Sequence, residues 1–118
     1  MNYVVLIGNI TADPKLTVIP VDGGEAIKVT NFSIATNRTF TRKDGSREQD
    51  VTFTNCEAWD SGAERIAASF KKGDRIFIQG SLKNENWEKD GKKYHKDKVR
   101  VNHFEKVSLS TKIDNINE

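Results

Sequence analysis

Four aromatic residues, Phe40, Phe53, Trp59 and Trp87, lie in or beside polar, strand-like segments with arginines and lysines close by. Trp87 is the plainest case. It sits within Asn84-Glu85-Asn86-Trp87-Glu88-Lys89-Asp90-Gly91-Lys92-Lys93, where almost every neighbour favours water. An exposed flat ring among cations suits stacking on the bases of a single-stranded nucleic acid. Each such stack is worth about 1–3 kcal/mol, and nearby cations hold the phosphates. Arg38, Arg42 and Lys43 surround Phe40, while Lys83, Lys92 and Tyr94 accompany Trp87. Taken alone, the lysines from Lys89 to Lys98 read as an ordinary solvated loop. With Trp87 and Tyr94 in the same stretch they read as a cationic arm that carries stacking groups.

The other reactive residues do not assemble into a catalytic pattern. His95 and His103 stand eight apart with no ligand cluster, so no metal site is expected. Cys56 has no evident base beside it. Asp44, Glu48 and Asp50 lie in a flexible hairpin and not on a rigid site for metal-assisted hydrolysis. No enzyme activity and no cofactor are expected. A single cysteine excludes an intrachain disulfide and fits a reducing compartment. The start, Met1-Asn2-Tyr3-Val4-Val5-Leu6-Ile7-Gly8, lacks a basic leader and its apolar run is short. No stretch approaches the roughly 20 apolar residues of a membrane span. The expected location is cytoplasmic and nucleoid-associated.

The chain of 118 residues is the size of one domain. Hydrophobic residues make up 36% and charged residues 31%, so either the core is thin or surface is shared with a second chain. The net charge of +2 does not by itself indicate a polyanionic partner. Its distribution says more: residues 83–100 hold seven basic and four acidic groups, against one and two in residues 108–118.

The elements that must position these residues follow from periodicity. Tyr3 to Ile10 is a short apolar run that suits a buried strand. Lys15 to Pro20 is a second strand-like piece, and Asp22-Gly23-Gly24-Glu25 is a hairpin turn. Ala26 to Thr36 alternates, with Lys28, Thr30, Phe32, Ile34 and Thr36 on one face. Asn37 to Glu48 reads as the tip of a long hairpin, and Gln49 to Trp59 as its return strand. Ser61 to Lys72 is the one helix, with Asp60 or Ser61 as cap, Glu64 completing a capping box, and Gly73 as the stop. Arg75 to Gly80 is a strand, Ser81 to Lys96 a long charged loop, and Lys98 to Val107 the closing strand. This order suits an all-β OB-fold, a five-stranded Greek-key barrel with one short helix at one end, and periodicity alone would also permit another small β-barrel. Residues 1–107 form the domain, and 108–118 are expected to be a short mobile tail.

Side chains alternate along Val51 to Trp59. Thr52, Thr54, Cys56 and Ala58 are small enough to fill a tight barrel, which sends Phe53, Asn55, Glu57 and Trp59 outward. Phe53 and Trp59 are then about 20 Å apart along the strand, at roughly 3.3 Å per residue. Phe32, Phe70 and Phe104 are assigned to the core.

Several of these runs resemble the bacterial-type single-stranded DNA-binding protein family. They are Val4-Val5-Leu6-Ile7-Gly8-Asn9-Ile10 with Asp13-Pro14, Asn31-Phe32-Ser33-Ile34-Ala35-Thr36-Asn37, Gln49 to Trp59 with Ala63-Glu64, and Lys72-Gly73-Asp74-Arg75-Ile76-Phe77-Ile78-Gln79-Gly80-Ser81-Leu82. The resemblance spans residues 3 to about 107. It implies sequence-independent binding and protection of single-stranded DNA in replication, recombination or repair. Phe40 and Phe53 stand at tryptophan positions of the family, Trp59 at a phenylalanine position and Trp87 at a tryptophan. Asn55 stands where an arginine is common, which removes one phosphate contact, and Lys72 matches a basic position. The resemblance also implies a homotetramer that pairs subunits through the first strand, at Tyr3 and Val5. Arg75 and Phe77, pointing away from Ile76 and Ile78, are assigned to the same interface.

Family members continue into a mobile linker and a short acidic tip ending in proline and phenylalanine. Ile113-Asp114-Asn115-Ile116-Asn117-Glu118 does not resemble that tip, so docking to replication or repair enzymes through it is not expected. Two other readings of the same residues stay open. One is an RNA-binding OB module, because stacking does not distinguish sugars. The other is a primosome-assembly accessory protein of the same fold.

Overall fold

A computed structural model describes residues 1–108, and seven elements run through these described residues. They are β1 (Val4–Ile10), β2 (Lys15–Ile19), β3 (Ile27–Thr41), β4 (Arg47–Trp59), α1 (Asp60–Ser69), β5 (Arg75–Lys89) and β6 (Lys92–Lys106). Residues 109–118 of the expected tail lie outside the described residues.

The strands pair in the order β1-β5-β6-β4-β3-β2, and β1 also pairs with β3. That last pairing closes β1, β5, β6, β4 and β3 into a five-stranded barrel, with β2 as a flap hydrogen-bonded to β3. All pairings are antiparallel except the short β4–β6 contact, Cys56↔Val99 and Glu57↔Arg100. Closure leaves the barrel strands no free edge, and it confirms the OB-type Greek-key barrel with one helix.

The core is a small apolar plug of Ile10, Phe32, Ile34, Cys56, Ala58, Ile66, Phe70, Ile76, Ile78 and Val99. Phe104 is half-buried and meets Phe70 edge-on, with ring centroids 5.9 Å apart, so the three phenylalanines assigned inward do pack there. Gly80 marks the point where the sheet bends. A Cβ there would lie 1.9 Å from the Arg100 carbonyl oxygen, and the β5–β6 register shifts at Gln79/Gly80. Only glycine lets the two backbones approach so closely.

Four local expectations change. The helix begins directly from β4, with Trp59 as N-cap and no side-chain cap bond. Asp60 takes a left-handed φ of 52° to make that corner, so Ser61 already lies inside the helix and the capping box does not form. The helix also ends at Ser69, short of Lys72, because Phe70 swings to φ −119° and buries its ring. The largest change is at Ser81 to Lys96, expected as a loop. It is a β-hairpin in continuous register, from Ser81↔Arg100 to Lys89↔Lys92. The β3–β4 hairpin is likewise longer than expected, pairing out to Thr41↔Arg47. Two long ribbons thus extend past the barrel.

Candidate nucleic-acid interface

Register decides which side chains share a face, because directly paired residues point the same way. In the β5–β6 ribbon, Trp87 pairs with Tyr94, Glu85 with Lys96 and Lys83 with Lys98. These six share one face. The parallel pair Glu57↔Arg100 joins that face to the outward side of β4. Phe53, Asn55, Glu57 and Trp59 therefore continue the surface begun by Trp87, Tyr94, Lys96, Lys98 and Arg100.

The rings on this surface differ in availability. Phe53 is 68% exposed and Trp87 45% exposed. Trp87 lies nearly parallel to Tyr94, with centroids 5.6 Å apart and planes 15° from parallel. This offset stack fixes both rings and leaves an outer face on each. Trp59 is only half-buried, not freely exposed as expected, and the Arg100 guanidinium stands 5.2 Å over its ring. Its Nε1 is buried with no hydrogen-bond partner among the described residues.

Between the barrel and the β5–β6 ribbon lies a concavity of about 450 Å³, lined by Asn31, Phe32, Asn55, Cys56, Glu85, Lys96 and Lys98. Asn55 thus faces a groove with cations on its far wall. Rings at both ends of a groove with lysines between them match the demands of an extended polyanion with flat bases.

The model of the Single-strand binding protein family matches residues 1–107. The chain belongs to this family. It is 42% identical over 94 residues to "Single-stranded DNA-binding protein 2" of Listeria monocytogenes, covering 79% of this chain and 55% of that one. It is 43% identical over 88 residues to "Single-stranded DNA-binding protein A" of Bacillus subtilis, covering 75% and 48%. The chain therefore spans about half the length of the curated relatives it matches. A crystal structure of a deletion mutant of the single-stranded DNA binding protein from Thermus aquaticus superimposes with a TM-score of 0.76 at 27% identity, covering 92% of this chain and 51% of that one. A Plasmodium falciparum SSB in complex with ssDNA also gives 0.76, at 23% identity, over 92% and 95%. The second likeness concerns the fold alone. The relatives' names describe binding and not a reaction, in keeping with the expectation that the chain is no enzyme.

Against the family pattern, the structure separates the residues expected to act together. Phe40 pairs with Glu48, whereas Phe53 pairs with Ala35. An odd residue and an even one on the same regular strand pair point to opposite faces. Phe40 is therefore on the other side of the β3–β4 ribbon from Phe53. Arg38 covers its ring at 5.1 Å, and Arg42 pairs with Glu48 at 2.5 Å. Lys43 sits at the tip of this ribbon, and Lys72 in the turn between α1 and β5, where its N–H donates to Asp13 Oδ1 at 2.7 Å. Lys72 is thus on neither ribbon. Lys92 follows the turn of the other ribbon, on the Tyr94 face.

Two expectations about β4 need correcting. Of the four small residues assigned inward, Cys56 and Ala58 are buried, Thr54 is half-buried and Thr52 is exposed. By Thr52 the strand has left the barrel and has no core to face. Glu57, assigned outward to solvent, is only 1% exposed. It does point outward, but Lys98 and Arg100 close over it, each 3.1 Å from one of its carboxylate oxygens.

Sequence reasoning missed Arg100, Glu57 and Glu85 at this site. Glu57 and Arg100 lie 43 residues apart and meet only through the β4–β6 contact, while Glu85 reaches Lys98 across the β5–β6 ribbon.

Burial pushes the Cys56 thiol up to about 12. The thiolate is the reactive form, so the folded protein should resist a thiol-specific disulfide reagent at mildly alkaline pH. One thiol should appear on adding guanidinium chloride. Rapid titration of the native protein would show that β4 opens readily.

Proposed function

We propose that residues 1–107 bind single-stranded DNA without reading its sequence, by base stacking and phosphate contacts, in replication, recombination or repair. The observation that carries this reading is the single face holding Phe53, Trp59, Trp87 and Tyr94 with Lys83, Lys96 and Lys98. Rings and ammonium groups meet the features common to every nucleotide, its π-face and its phosphate. Neither reads base edges. The names of the relatives point to the same ligand class. Phe40, with Arg38, Arg42 and Lys43, serves as a second contact on the opposite face of its ribbon, reached by a strand that wraps around the edge. Lys72 acts at a separate point, if the strand continues past α1.

The assembly we propose is a homotetramer. Val5 and Ile7 are exposed on one face of β1, with the exposed Tyr3 just before it, and Ile7 pairs with Phe77 of β5. This leaves an apolar stripe on the outside of a small barrel, of the kind that marks an interaction surface. Arg75, whose Nε donates to Asn9 Oδ1 at 3.2 Å, borders the stripe.

Tryptophan fluorescence titrated with poly(dT), poly(rU) and duplex DNA tests the function. Quenching should be strong with poly(dT) and absent with duplex at physiological salt. Affinity should fall as salt rises, with a log–log slope of about −0.7 for each phosphate neutralised. Tighter binding to poly(rU) would favour the RNA-binding module. Preference for duplex would overturn both readings.

A further inference from the structure

The floor of the proposed strand path holds a charge cluster that works against it. Glu57 projects from the outward side of β4, between Asn55 and Trp59, and is almost wholly buried. Its Oε2 accepts from Lys98 Nζ and its Oε1 from Arg100 Nε, both at 3.1 Å. Lys98 also binds Glu85, which lines the same groove. Burial pulls the Lys98 ammonium pKa down, yet hydrogen bonds to Glu85 and Glu57 outweigh it and the net shift is upward. Two carboxylates thus balance two cations where β4 meets the ribbon, and the cluster is electrically neutral.

A cation already held by a carboxylate releases fewer counterions when a phosphate arrives. Arg100 has a further tie. While Glu57 holds its Nε, its guanidinium covers the face of Trp59. A base that stacks on that face must displace the guanidinium.

We propose that Glu57 is an internal competitor for single-stranded DNA. It sequesters Lys98 and Arg100 from phosphates and keeps Trp59 covered, so it sets the affinity and salt dependence of the central part of the site. Binding then rests mainly on the outer rings, Phe53 and the Trp87–Tyr94 pair. This inference rests on the single-strand reading above.

The test compares wild type, Glu57→Gln and Glu85→Gln for binding to dT oligomers across a salt series. The amide of Glu57→Gln keeps an acceptor for Arg100 and the original volume. Arg100 is half open to water and Lys98 keeps Glu85, so neither cation is stranded in the interior. Binding by Glu57→Gln should tighten roughly threefold to tenfold at low salt, with the log–log slope steeper by about 0.7–1.4, one or two added phosphates. Quenching of Trp59, isolated by Trp87→Phe in each protein, should also grow. Glu85→Gln alters an exposed group and frees Lys98 from one partner, so its slope should steepen by up to about 0.7.

A purely structural carboxylate predicts otherwise: a lower melting temperature with slope and affinity unchanged. Weaker binding by Glu57→Gln would show that the carboxylate aims its cations at the phosphates. Either result overturns the proposal. If Glu57→Gln fails to fold, Arg100→Gln takes its place: a cation already held from phosphates adds little to the slope, so a slope shallower by about 0.7 in Arg100→Gln overturns the proposal on its own. Failure of wild type to bind dT oligomers at all would instead remove the single-strand reading beneath it.

Discussion

Trp87→Ala weakens binding to poly(dT) by about 1–3 kcal/mol, a loss of roughly 5–150-fold, while the melting temperature stays within a few degrees of wild type. The two halves of this result have separate causes. Affinity falls because Trp87 is the largest exposed ring on the face that joins the β5–β6 ribbon to β4, and its outer side is open. Its stack on Tyr94 holds the indole in place before the strand arrives. Little ordering of the side chain is then needed on binding, which favours affinity. Stability survives because Trp87 lies on the ribbon and touches none of the plug that fills the barrel. The local loss is the aromatic pair, worth about 0.5–1.5 kcal/mol beyond its buried area. That loss frays the ribbon without opening the sheet. Tyr94→Ala should produce a smaller affinity loss, because it removes the support and one outer face but leaves the indole. A large drop in melting temperature with binding intact would assign Trp87 to structure and leave Phe53 as the main stacking ring.

How much of this was legible in the sequence depends on where a segment sits relative to the core. Inside the barrel, alternation speaks clearly: Ile76 and Ile78 inward against Phe77 outward, or Cys56 and Ala58 inward against Phe53 outward. The helix was legible for the same reason, since Ala63 and Ile66 recur on one buried face. The ribbon from Ser81 to Lys98 was not. Both of its faces are wet, so no apolar period marks it, and lysine, asparagine and glutamate read as loop. Its register is carried by backbone pairing and by cross-strand contacts such as Asn84 to Asp97 at 2.7 Å. Glu57 failed for a different reason. Alternation placed it on the outer face correctly, but outward was taken to mean exposed. Its burial comes from side chains on β6, through a parallel contact only two residue pairs long. Phe40 shows what motif resemblance leaves out, which is the face of the ribbon. Its position matches a stacking site of the family, yet register puts it on the reverse of the ribbon from Phe53.

Phe77→Glu, or Ile7→Glu, should dissociate the proposed homo-oligomer without unfolding the barrel. Ile7 and Phe77 pair directly between β1 and β5 and point away from the plug, opposite to Leu6 and Ile78. Ile7 is exposed and Phe77 half-buried, its ring edge-on to His103 at 6.2 Å. With Tyr3 and Val5 they form a stripe that a single barrel has no means of covering. Symmetric dimers of barrels place such a stripe against its own copy. One substitution then puts two carboxylates into one apolar contact. An unpaired charge buried at such a contact costs several kcal/mol, and the copy's like charge adds to it. The isolated barrel loses little, since neither side chain fills its core. Light scattering at micromolar concentration should report a tetramer for wild type and a smaller species for either variant, with the strand-rich circular dichroism retained. Tyr3→Glu, at the start of the same stripe, should act in the same direction more weakly, because it lies before β1 begins. A wild-type monomer would refute the assignment, and a tetramer that survives both Phe77→Glu and Ile7→Glu would move the interface elsewhere. The exposed apolar residues of the β2 flap, Leu16, Val18 and Ile19, would then be the next surface to substitute.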